Sequence, residues 1–248
     1  MRRLRSIAFS VSFPLLTGLY CIVLAFGPLL PRKGALWLTL FWLKSVAWLE
    51  RTVLGLDYRI IGGENLPKQG AFIVAAKHQS AFETMKVHLI LKDPAIVMKA
   101  ELLRVPIWGS YTRRTGMIPI DRAGGRAAMS VMLTAARARA AEARPIVIFP
   151  QGTRVAPGER RAYKSGVIAL YNELRVPIVP LALDSGFFWP KHGMKHGGVV
   201  TFSFLPPIEP GKPSDEALAL LEQRLEAETD RLIAVHESGS VSPVAARA

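Results

Sequence analysis

Two short stretches hold residue types suited to chemistry. In "AKHQSAFET", His78 is followed five positions later by Glu83. A neutral imidazole can take a proton from a hydroxyl, and a carboxylate can fix its tautomer and steady the imidazolium. An i, i+5 pair shares no helical face, so the two meet only if His78 lies in a loop and Glu83 in the first turn of the helix that follows. Ser80-Ala81-Phe82-Glu83 is also a Ser-x-x-Glu capping box, which accounts for Glu83 without any catalysis. The second stretch is "IVIFPQGTR", Ile146 to Arg154. Gly152 lets backbone approach a ligand closely, Thr153 offers a hydroxyl, and Arg154 a guanidinium matched to phosphate. Lys164, in "YKSG", adds a cation nearby in sequence. Taken alone, this stretch reads more readily as a turn with solvated charges.

Both stretches need strands behind them. The apolar run Ala71–Ala76 stops abruptly at Lys77-His78, and Ile146–Phe149 stops at Pro150. Similar β-branched runs are "YRIIG", "AIVM", "GMIPI", "VPIVPLAL" and "VVTFSFL", bounded by Gly, Pro or charge. Helical stretches lie between several of them. Gly124–Arg144 is Ala-rich with arginines toward its end, and the segment opening at Ser214 begins with two acids and carries apolar residues at helical spacing. The pattern predicts an α/β fold with a mostly buried central sheet flanked by helices. Such sheets bind ligands where strands end, which is where His78 falls.

Charge and hydropathy narrow the partners. Lys and Arg total 32 against 19 acidic residues, a net charge of +13, while half of the 248 residues are hydrophobic. Basic and apolar together favour an anionic membrane surface or a phosphorylated substrate over nucleic acid. The single cysteine, Cys21, excludes an intrachain disulfide and a cysteine-based zinc site. Ile7 to Leu30 carries no charge over a length that can cross a hydrocarbon core, with Arg2, Arg3 and Arg5 before it and Arg32-Lys33 after. Ala25-Phe26-Gly27 faintly resembles a signal-peptide cleavage site, but Pro28 and the length of the run favour a retained anchor. Gly34–Leu56, broken by Lys44, Glu50 and Arg51, places Trp37, Trp42 and Trp48 where interfacial anchors are common. It reads as a helix in the headgroup layer or the return arm of a hairpin, with a helix packed on the soluble domain as the plain alternative. The expected organisation is a membrane-associating two-helix segment over 1–56, an α/β domain over 57–237 and a flexible tail over 238–248.

His-x-x-x-x-acid, "GMIPIDR", "FPQGTR" and "VPIVPLAL" follow one another in the order and spacing of the four motifs of glycerolipid acyltransferases, and from Tyr58 to Leu183 the chain resembles the bacterial 1-acylglycerol-3-phosphate branch of that family. The resemblance implies O-acyl transfer from an acyl thioester, on coenzyme A or acyl carrier protein, to the sn-2 hydroxyl of a lysophosphatidic acid, a step of phospholipid biosynthesis. It implies no cofactor and no metal. His78 becomes the general base and Glu83 the acid that orients it. Arg122, Gly152, Thr153 and Arg154, with Lys164 near them, become ligands of the acceptor phosphate, and Pro180 shapes the acyl-donor site. The implied partners are a lysophospholipid, the acyl donor and anionic membrane lipids, with no nucleic acid. The implied location is the inner (cytoplasmic) membrane with the site facing the cytoplasm. Two positions depart from the family pattern: Glu83 replaces the usual aspartate, and Gln151 the usual glutamate. Another acceptor, such as glycerol 3-phosphate or a lyso-aminolipid, and a non-catalytic basic membrane-binding protein are the competing readings.

Overall fold

The computed structural model describes residues 2–25 and 30–238. Phe26, Gly27 and Pro28 of the candidate cleavage site, and residues 239–248 of the expected tail, lie outside the described residues. The seven β-branched runs form seven strands: β1 (Leu56–Ile61), β2 (Ile73–Ala76), β3 (Ala95–Lys99), β4 (Ile118–Ile120), β5 (Ile146–Ile148), β6 (Ile178–Leu183) and β7 (Gly198–Phe204). They make one sheet in the order β1-β7-β6-β2-β5-β3-β4. All neighbours run parallel except β6 and β7. In register, Ala75 of β2 lies between Ile148 of β5 and Pro180 of β6.

Strand periodicity divides the core into two layers. Val74, Ala76, Val179, Leu181 and Leu183 face one way, while Ile73, Ala75, Ile178 and Ala182 face the other. Both faces are buried, so these strands read as unbroken apolar runs rather than alternating ones. The second layer is covered by α5 (Gly125–Ala141), α6 (Gly166–Leu174) and α8 (Ser214–Glu237). Ala217, Leu221, Leu225 and Leu232 form the apolar stripe by which α8 joins it. Ser214 does not cap α8. The N-cap position is Pro213, and the Ser214 hydroxyl accepts from Asn172 Nδ2 instead.

The first layer holds α3 (Phe82–Ile90) together with α1 (Arg2–Leu24) and α2 (Arg32–Leu49), which continues as a π-helical turn over Glu50–Leu54. Phe9, Trp42, Leu43, Val46 and Leu49 belong to the same cluster as Val74, Phe82 and Phe202, so the amino-terminal helices share the core of the α/β body. Phe9 and Phe13 each meet the Trp189 ring edge-on, at 5.3 and 5.8 Å. The three tryptophans of the second apolar segment also part company. Trp42 is buried edge-on to Trp108, while Trp37 and Trp48 stay exposed. A buried ion pair ties this layer to the helix that follows His78: the Lys86 ammonium of α3 donates to Glu50 in the π-helical turn. Burial pushes the Glu50 carboxyl up to about 7 against the pull of Lys86, and burial likewise lowers the Lys86 ammonium. Breaking such a pair from one side typically costs about 3–5 kcal/mol.

Candidate active site

Strands β2 and β5 are parallel neighbours, so the loops leaving their carboxyl ends lie side by side. The first loop carries His78 and the second carries Gly152–Arg154. They are joined directly: the Val155 N–H donates to the His78 carbonyl (2.8 Å), and the Phe149 ring stacks on the His78 imidazole with centroids 4.4 Å apart.

His78 and Glu83 meet as their spacing requires. Glu83 lies in the first turn of α3, and its Oε1 sits 2.8 Å from His78 Nδ1. The same oxygen accepts from the Gln79 and Ser80 N–H groups at 2.9 and 2.8 Å. The capping and catalytic readings therefore hold together: one carboxylate reaches back to the loop backbone and holds the imidazole. The serine half of the box differs, because the Ser80 hydroxyl accepts from Phe82 N. Glu83 is fully buried, whereas the His78 side chain keeps 16% of its surface exposed. A carboxylate that already accepts from backbone N–H groups presents a further acceptor to Nδ1. That assigns the ring proton to Nδ1 and leaves the Nε2 lone pair free.

His78 lines a cavity of about 1250 Å³ whose walls mix two kinds of side chain. Arg122, Arg126, Gly152, Thr153, Arg154 and Lys164 line it, and so do the apolar Cys21, Trp42, Leu43, Met85, Ile96 and Met117. Gly152 takes φ +69°, and a Cβ there would sit 3.1 Å from Lys164 Cε, so glycine keeps this loop close to the lysine chain. Every phosphate ligand expected from sequence is thus brought to one cavity. Pro180 is not among its lining residues. It sits buried in the middle of the sheet opposite Ala75, and its carbonyl accepts from Leu205 N. Gln151 is buried, is not among the cavity's lining residues, and leaves both amide atoms unpaired among the described residues. An amide is far cheaper to bury unpaired than a carboxylate would be.

Sequence reasoning missed Arg126, which lines the cavity from the first turn of α5, four residues past Arg122 in the preceding turn. It also missed a second histidine: His88 of α3 lines the same cavity. Burial pushes its pKa down to about 4, only partly offset by Asp93. That makes His88 a far weaker base than an ordinary imidazole. No cluster of His, Cys, Asp and Glu able to hold a metal occurs among the described residues.

A histidine held by a buried carboxylate at the end of a parallel strand, in a cavity also lined by guanidinium groups and apolar side chains, fits a group-transfer enzyme for an amphipathic phosphate. The chain belongs to the Acyltransferase family, whose model matches residues 57–184. It is 30% identical over 223 residues to the 1-acyl-sn-glycerol-3-phosphate acyltransferase of Pseudomonas aeruginosa, covering 89% of this chain and 84% of that one. The human 1-acyl-sn-glycerol-3-phosphate acyltransferase alpha is 28% identical over 68% of this chain and 61% of its own length. The crystal structure of the 1-acyl-sn-glycerophosphate (LPA) acyltransferase of Thermotoga maritima superposes with a TM-score of 0.75 at 22% identity, covering 94% of this chain and 98% of that one, and shares the fold.

Proposed function

We propose that the protein transfers a fatty acyl group from a thioester to the sn-2 hydroxyl of 1-acyl-glycerol 3-phosphate, forming phosphatidic acid. The observation that carries the chemistry is the His78–Glu83 contact at the mouth of a cavity lined by arginines. His78 Nε2 takes the hydroxyl proton as the oxygen attacks the thioester carbonyl. The C–O bond forms, the tetrahedral oxyanion collapses, the C–S bond breaks, and the thiolate leaves with the proton returned by His78. Glu83 steadies the imidazolium between these events. Arg122, Arg126, Arg154 and Lys164 hold the acceptor phosphate, and the Thr153 hydroxyl lies in the same wall. The apolar lining at Trp42, Leu43 and Met85 takes an acyl chain, and the donor arrives on coenzyme A or on acyl carrier protein. Purified protein given lysophosphatidic acid and an acyl thioester is expected to release thiol and form phosphatidic acid in equal amounts. Thiol release without phosphatidic acid would make the protein a thioesterase instead.

Arg154 provides a test of the acceptor site. Its guanidinium matches a phosphate bidentately, and a lysine ammonium does not. Arg154→Lys is expected to raise the KM for lysophosphatidic acid about tenfold, as loss of one charge-assisted hydrogen bond would, with the KM for the donor unchanged. Equal rises in both would assign Arg154 a structural role.

The amino-terminal helices bring the site to its substrate. Leu4, Ile7, Val11, Leu15, Leu19 and Ile22 form an exposed stripe along α1, opposite the face that holds Phe9 in the core. Trp37, Phe41 and Trp48 extend exposed apolar surface onto α2. A contiguous patch of this kind fits a bilayer surface. Because Phe9 and Phe13 pack on Trp189, α1 lies along the body of the enzyme and dips its outer face into one leaflet. The basic surface adds about 1 kcal/mol per well-placed Lys or Arg toward anionic headgroups. The protein is expected to stay with the inner membrane through a high-salt wash and to leave it in detergent. Release by salt alone would reduce the attachment to electrostatics.

A further inference from the structure

Glu83 has two oxygens, and the contacts described so far all fall on one of them. Oε1 takes His78, Gln79 and Ser80, while Oε2 takes a single partner, the hydroxyl of Ser185 at 2.7 Å. Ser185 lies 102 positions downstream, just past the end of β6, and is completely buried. The segment around it is fixed on both sides. Asp184 accepts from Thr201 N of β7 and pairs with His236 of α8, each at 2.7 Å, and the Gly186 N–H donates to the Gln79 side chain at 3.0 Å. A side chain at 186 would run into Pro157 and Gln79, so the backbone there is pressed against the histidine loop. The Ser185 hydroxyl is therefore a donor delivered at a fixed point by the β6 strand beside β2.

We propose that Ser185 is a positioning residue of the transfer site, acting through Glu83 on His78. The last torsion of a glutamate is soft, so a carboxylate held at one oxygen alone can pivot about it. The Ser185 bond to Oε2 locks that torsion and keeps Oε1 on Nδ1. Without it, the carboxylate swings off Nδ1, the imidazolium loses part of its counter-charge, and the free base is reached at lower pH.

This inference rests on His78 being the base, and the two fail differently. Ser185→Ala is expected to lower kcat about tenfold, in keeping with loss of a hydrogen bond to a charged group, with the KM of both substrates within about twofold. The acid limb of the kcat–pH profile moves downward. Ser185→Thr, which keeps the hydroxyl, and Ser185→Cys, a weaker donor of similar size, recover activity in that order. Glu83→Asp draws the carboxylate away from Ser185, so adding Ser185→Ala in that background costs less than about twofold. A loss that is equal in both backgrounds and leaves the pH profile in place would make Ser185 a packing residue and overturn the proposal. An unchanged Ser185→Ala beside an inactive His78→Ala would do the same while leaving the base intact, and an active His78→Ala would remove the base itself.

Discussion

His78→Ala is expected to lower kcat by at least about 10²-fold, the lower end of what a positioned general base contributes, while the protein folds and partitions to membranes as before. The imidazole is an edge group of the cavity, stacked on Phe149 and held by one hydrogen bond to Glu83. Its removal leaves the Glu83 carboxylate with the Gln79 and Ser80 N–H groups and the Ser185 hydroxyl, so no buried charge is stranded. The backbone bond from Val155 N to the His78 carbonyl is untouched, and the two loops stay joined. The arginines lining the cavity remain in place as well, so the KM for lysophosphatidic acid should change little. Steady-state phosphatidic acid formation by the purified variant, read beside its melting temperature, separates chemistry from folding. Near wild-type turnover would sink the base assignment. His88, with its pKa near 4, is then too weak a base to substitute.

The parts of this site that sequence reveals are those carried by local chemistry. Gly152, Thr153, Arg154 and His78 follow strands whose apolar runs end abruptly, and the α/β alternation places those ends together. The central strands β2, β5 and β6 were legible because both sheet faces are buried there, which makes their runs wholly apolar. Ser185 left no such mark. It follows a strand as an ordinary small residue and reaches Glu83 only because β6 lies beside β2, a pairing that no local pattern encodes. Pro180 is the opposite case: a recognisable motif residue lies buried in the sheet opposite Ala75 and is not among the cavity's lining residues. That the amino-terminal helices share the core of the α/β body was hidden from sequence for a related reason. A helix apolar all round looks like an anchor in one dimension, yet α1 uses one face for the core and the other for the surface. Trp42 and Trp48 are chemically identical in sequence, and only helix phase sends one inward and the other out.

Glu83→Gln is expected to melt close to wild type and to lose roughly 10²-fold in kcat, an effect at the scale of a strong charge-assisted hydrogen bond. The surroundings decide how the amide must sit. Two backbone N–H groups converge on the Oε1 position, so the glutamine carbonyl oxygen has to occupy it, and the amide nitrogen then faces the Ser185 hydroxyl. That hydroxyl can rotate to accept where it had donated. Every hydrogen bond of the wild-type network is kept, including the reach back to Ser80 that closes the first turn of α3. His78 Nδ1–H still finds an acceptor, so the useful tautomer survives, and what disappears is the negative charge that steadies the imidazolium. Glu83→Asp has the opposite defect: the charge stays, the reach shortens, and a measurable part of the activity remains. Comparing kcat for the two variants at saturating lysophosphatidic acid keeps a binding defect from passing for a chemical one. Full activity in Glu83→Gln would make this carboxylate a helix cap alone. A collapse of its melting temperature would mean that the buried network cannot tolerate an amide, and the activity of Glu83→Asp would then decide whether the charge at this position serves His78.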